Sequence, residues 1–179
     1  MRRIAVREYL AGPEQTRPLE LVWGVLHEPP APRYGHQSVV VRTVCILDEH
    51  VRGRGLGQVC VAPADVVLDE KAGLAVQPDV FFVSNERAGI IREVVWGAPD
   101  LVIEVASRPS VLRDRTTKLG WYRAYGVREC WLVDPGRRLL VVVDLKRRGR
   151  SAFDHCRDND PVRSAVLPEL HPPAAAFFG

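Results

Sequence analysis

Residues 100–134 read DLVIEVASRPSVLRDRTTKLGWYRAYGVRECWLVD, and this stretch decides the fold. Its first part is a short β-branched run closed by Ser, Arg and Pro, the signature of a buried strand. A helical segment over about Val111 to Tyr125 follows, closed by Gly126 at a C-cap position. ECWLVD (129–134) then returns to the strand pattern. A glutamate, Glu104, interrupts the first run where an apolar side chain is expected.

Outward from this unit, QVCVAPADVVLD (58–69) and VQPDVFFVS (76–84) are strand-rich, and LLVVVDL (139–145) follows the turn Pro135-Gly136-Arg137. Upstream, Val39, Val40, Thr43, Val44, Ile46 and Leu47 recur at helical spacing from Gly35 to Val51. RGRGLGQ (52–58) is a glycine-rich loop with neither a dinucleotide nor a Walker fingerprint. The first 35 residues hold a short amphipathic start, Val6 to Leu10, and an extended stretch PLELVWGVLHE that stops at the Pro-rich segment Glu28 to Pro32. The last 35 residues are polar and finish in the apolar tail LPELHPPAAAFF. The pattern predicts one domain over 1–179, α/β or α+β, with a mixed sheet flanked by helices.

Composition narrows the function. A chain that is 46% hydrophobic and 26% charged is neither disordered nor fibrous. It has no apolar run long enough to span a bilayer and no signal-peptide pattern at its start. Cys45, Cys60, Cys130 and Cys156 lie far apart without CxxC spacing, as expected of reduced thiols in a cytoplasmic protein. The net charge of +3 is too small to argue for nucleic acid alone. Only three of the basic residues are lysines, Lys71, Lys118 and Lys146, which draws attention to the one on the central helix.

Two acids lie within apolar strand runs. Asp79 precedes Val80-Phe81-Phe82-Val83, and Glu104 sits inside Leu101 to Ala106. A carboxylate there is costly unless paired, protonated or bound to a metal. Two on neighbouring strands point to a divalent cation site. On the following helix, Asp114, Lys118, Trp121 and Tyr125 fall in one stripe. That stripe reads either as a buried aromatic face with an Asp114–Lys118 ion pair, or as the route by which Lys118 reaches the acids. Glu20 in LELVWG faces either the site or solvent on an alternating strand. The remaining histidines, His27, His50, His155 and His171, share no zinc-ligand spacing. The run Lys146 to Arg150 is either a solvated hairpin end or a backbone contact for DNA.

The ordered set ELVWG, GHQSVV, QPDVFFVS, GAPDLVIEVAS, D-x-x-x-K-x-x-x-Y (Asp114, Lys118, Tyr122) and YGVRECWLVDP resembles the Uma-type restriction endonuclease family of the PD-(D/E)XK nuclease superfamily, from about Tyr9 to Phe178. The resemblance implies a restriction-endonuclease-like core, a homodimer and Mg²⁺-dependent hydrolysis of DNA phosphodiesters, with Mn²⁺ as a substitute metal. It puts Asp79 and Glu104 on the metal, with the Val105 carbonyl as a third ligand. Ala106 stands where the superfamily carries its lysine, and Lys118 on the following helix takes that role. Glu20 and His36 match further family positions. Val25 stands where an acid is common, and Ser107 to Ser110 replace an SPST-like turn. Two other readings remain open: a nuclease fold that binds DNA or a partner without cutting, and a structural protein that docks through its apolar C-terminus.

Overall fold

Two sheets, rather than the single sheet expected, organise the chain. The computed structural model describes residues 2–13, 17–106 and 112–179, the side chains of 112–115 excepted. The first sheet comprises β1 (Glu20–Val22), β2 (Val25–His27), β4 (Val66–Asp69), β5 (Leu74–Val76) and β7 (Val95–Trp96), in the order β2-β1-β5-β4-β7. The second comprises β3 (Gly57–Val61), β6 (Val80–Ser84), β8 (Leu101–Val105), β9 (Glu129–Asp134), β10 (Leu139–Asp144) and β11 (Phe153–Cys156), in the order β11-β10-β9-β8-β6-β3. The apolar run of 58–69 divides at Ala62-Pro63-Ala64, because proline has no N–H for a ladder. Its first half pairs with β6 and its second half with β5, in different sheets.

Helix α1 (Val6–Leu10) covers the outer face of the first sheet, where Val6 packs with Leu21, Val67 and Ala75. Helix α2 (Tyr34–Arg54) covers one face of the second sheet through Val39, Val40, Leu47 and Val51. It ends at Gly55, whose φ of 59° is the left-handed conformation that lets its N–H reach Val51 and Arg52 carbonyls. Helix α3 (Leu112–Tyr125) links the parallel strands β8 and β9. Side chains alternate across β8: Leu101, Ile103 and Val105 face the α2 layer, while Val102 belongs to the cluster that holds Tyr122 of α3.

The C-terminal tail closes the core. Leu167, Leu170, Ala174 and Phe177 are buried in the α2 layer, with Phe177 edge-on to Trp131 at 5.9 Å. A segment consumed by its own core is not free to act as a docking arm, so the expectation of a structural partner protein working through this tail is set aside. Residues Lys146 to Arg150 are exposed between β10 and β11, with Arg147 3.1 Å from Asp144. All four cysteines are free thiols. Among the described residues no helix is long and apolar enough to cross a membrane.

Candidate active site

Four elements bring Glu20, Asp79, Glu104 and Lys118 to one end of the second sheet. Strand β1 alternates, and Leu21 is committed to the α1 cluster on the outer face. Glu20 therefore points inward with Val22, and is only 7% exposed. Its Oε1 accepts the Gln77 N–H at 2.9 Å and the Lys118 ammonium at 2.8 Å. Of the two orientations open to Glu20 in the sequence, the one facing the site is observed.

Asp79 stands one residue before β6. The antiparallel register Val80↔Ile103 continues to set Asp79 opposite Glu104. Asp79 Oδ2 accepts the Val105 N–H at 2.7 Å, and Oδ1 lies 3.2 Å from His36 Nε2. His36 thus reaches from the first turn of α2 to the PD aspartate. Val105 is tied to the site through its backbone.

Glu104 is turned toward α3. Its Oε1 accepts a 2.5 Å hydrogen bond from the Tyr122 hydroxyl and lies 3.5 Å from Lys118 Nζ. Lys118 and Tyr122 are four residues apart, so they stack on one helix face above the same carboxylate. The helix presents Tyr122 to the interior, fully buried, whereas Trp121 and Tyr125 are only partly covered. This corrects the aromatic stripe expected from the sequence. Trp121 meets Trp23 edge-on at 5.8 Å, and Tyr125 donates to Asp69 at 2.9 Å. The Asp114 side chain and residues 107–110, Arg108 included, lie outside the described residues. Sequence reasoning did not place Tyr122 in the site, although its i+4 spacing from Lys118 was the available signal.

The electrostatics follow from burial and from three carboxylates facing one ammonium. Burial pushes the Glu104 carboxyl up to about 7, helped by the Asp79 and Glu20 charges and opposed by Lys118 and the Tyr122 hydrogen bond. Burial alone would lower Lys118, but the Glu104, Glu20 and Asp79 carboxylates outweigh it and hold the ammonium above its usual range. Burial and the Glu104 and Glu20 charges raise the Tyr122 phenol well above the ordinary value, so it stays a donor.

Such a cluster remains short of positive charge, and its donors are hard oxygens, the chemistry that suits a divalent ion. Among the described residues no three His, Cys, Asp or Glu side chains converge as a metal-holding group. A site here would rest on two carboxylates, with backbone, water and substrate oxygens completing it, as Mg²⁺ commonly allows.

A search of curated proteins returns no match. Among solved structures, a crystal structure of a "putative nuclease belonging to DUF820" from Anabaena variabilis ATCC 29413 is similar, with a TM-score of 0.83 and 19% identity over 98% of this chain and 97% of that one. At that identity the likeness shows the fold. The Uma2 family, described as "Putative restriction endonuclease", matches residues 6–175, nearly the whole length, and the chain belongs to it.

Proposed function

We propose that the protein is a nuclease that hydrolyses DNA phosphodiesters with the help of Mg²⁺ held by Asp79 and Glu104, the Val105 carbonyl completing the protein's share. The observation that carries this reading is the convergence of Glu20, Asp79, Glu104 and Lys118 from four separate elements on one buried point. When bound, Mg²⁺ supplies Lewis acidity toward the phosphate and acidifies water at the site.

The chain's own residues do the rest. Lys118 is held as an ammonium, so it acts as a charge partner and donor to the reacting oxygens rather than as a base. Glu20 receives that ammonium at 2.8 Å and fixes its position. Tyr122 and Lys118 occupy Glu104 Oε1 from the α3 side, which orients the carboxylate. His36 and the Val105 N–H do the same for Asp79. The family membership supports the nuclease reading, and DNA as substrate follows from that family's description.

The test is incubation of supercoiled and linear DNA with Mg²⁺, Mn²⁺ or Ca²⁺, beside a Glu104→Ala control. Cleavage with Mg²⁺ and Mn²⁺ that the control lacks is expected. Binding with no cleavage under any metal would leave the protein a nuclease-fold DNA-binding module.

A further inference from the structure

A cleft of about 580 Å³ opens between the two sheets directly beside Asp79. Its floor is the same face of β6 that carries the aspartate. Side chains two apart share a face, so Asp79, Phe81 and Val83 form one row. The partner strand β3 adds Gln58 opposite Val83 and Cys60 opposite Phe81. The far wall comes from residues 91–95. Two backbone and side-chain links join the cleft to the site. The Ala62 N–H is bonded to the Asp79 carbonyl at 3.1 Å. Asp65, on the cleft lining, accepts Gln77 Nε2 at 3.1 Å, and the Gln77 N–H holds Glu20.

We propose that this cleft seats one unpaired nucleobase of the substrate, next to the phosphate handled by Asp79 and Glu104. The proposal rests on the nuclease reading and deepens it by naming the substrate class: single-stranded or locally unpaired DNA. The volume is of small-ligand size, with an apolar floor and a few polar groups at the rim, the usual make-up of such sites. Phe81 and Val83 below, facing the aliphatic wall above, offer surfaces for the two faces of a flat ring. The Gln58 amide, the Asp65 carboxylate and the Arg92 guanidinium provide both donors and acceptors for its edge. A phosphate has no use for apolar walls, and a paired base cannot leave its stack to enter a slot between sheets.

Cys60 provides the probe. In a full-length Cys45→Ser variant the other thiols, Cys130 and Cys156, are buried, so maleimide alkylation followed by peptide mass spectrometry reports on Cys60. A single-stranded oligonucleotide is added with Ca²⁺ at about ten times the Kd measured by anisotropy. Alkylation of Cys60 should then slow by about tenfold, the occupancy limit. The same strand in a duplex, or with an abasic site at its centre, should protect far less. Unchanged alkylation with the single strand demonstrably bound overturns the cleft assignment, and cleavage of DNA by that same protein would leave the nuclease reading standing. Protection without cleavage under Mg²⁺ or Mn²⁺ would do the reverse. Equal protection by duplex and single strand would also overturn it.

Discussion

Glu104→Gln should make the metal-free protein more stable at neutral pH and remove a pH dependence that the wild type carries. The folded protein holds a proton on Glu104 up to about 7, against an ordinary value of 4.5. Between those limits the native state binds more protons than the unfolded chain. Stability therefore falls as pH rises through the window: it is full below about 4.5 and lowest above about 7. Each pH unit of difference is worth about 1.4 kcal/mol, so the loss is on the order of 3 kcal/mol. The side chain is only 12% exposed, so solvent screening discounts this little.

Glutamine keeps an oxygen to accept the Tyr122 hydroxyl but has no charge to set against Asp79 and Glu20. The assay is urea denaturation of wild type and variant in chelator at half-unit steps from pH 5 to pH 8. Other groups titrate in both proteins and cancel in the difference. The variant should gain on the wild type as pH rises, reaching about 3 kcal/mol above pH 7. Excess Mn²⁺ should close the gap by stabilising the wild type alone. Parallel curves across the whole range would mean that Glu104 does not hold its proton, and the account of burial plus neighbouring carboxylates would fail.

Lys118→Ala should lower DNA cleavage by roughly 10²–10³ while Mn²⁺ affinity by calorimetry stays near wild type, and full activity would make this lysine a mere partner of Glu20. Tyr122→Phe removes a charge-assisted hydrogen bond worth about 1.5–3 kcal/mol, so divalent affinity should drop by about tenfold or more; an unchanged titration would show that Glu104 needs no such anchor. Far from the site, Glu129 accepts the Trp131 indole, the Ser164 hydroxyl and the Ala165 N–H, and so ties the C-terminal tail to β9. Glu129→Ala leaves three donors without an acceptor and should cost about 3 kcal/mol, on the order of 10 °C in Tm, whereas a shift within error in a thermal melt would deny it that role. DNA affinity should fall steeply with added salt, and a flat salt series in fluorescence anisotropy would argue against a phosphate-gripping surface.

The elements were legible where local chemistry decides them. β-branched runs became β4, β6, β8, β9 and β10, and the 3–4 spacing of Val39 to Leu47 became α2. The partition into two sheets was not legible, because a period of two states which side chains share a face but not which strand lies alongside. Val66-Val67-Leu68 reads the same whether it continues β3 or pairs with β5. Only Pro63, which cannot donate to a ladder, hinted at the break. The hairpin of β1 and β2 was missed for a related reason. Trp23 adopts a φ of 54° beside Gly24 at 79°, a turn for which asparagine or glycine is the usual first residue, so the W-G pair gave no turn signal.

The site shows the same division between local and long-range information. Asp79 and Glu104 could be singled out because a carboxylate inside an apolar strand violates the pattern around it. Glu20 could not, since its inward turn depends on Leu21 meeting Val6 of α1, a contact that no window of sequence contains. The roll of α3 is set the same way. Counting aromatics placed Trp121 and Tyr125 at the centre of its buried face, yet Lys118 must reach Glu20, and that brings Tyr122 inward instead. A buried ionic cluster of this kind is a poor source of stability, because apolar side chains of similar volume would serve the core as well or better. Three carboxylates gathered around one ammonium, one of them raised to about 7 by the others and by burial, are a standing electrostatic cost. A fold that needed only a core would have no use for that cost, whereas a second cation arriving with a negatively charged substrate would relieve it.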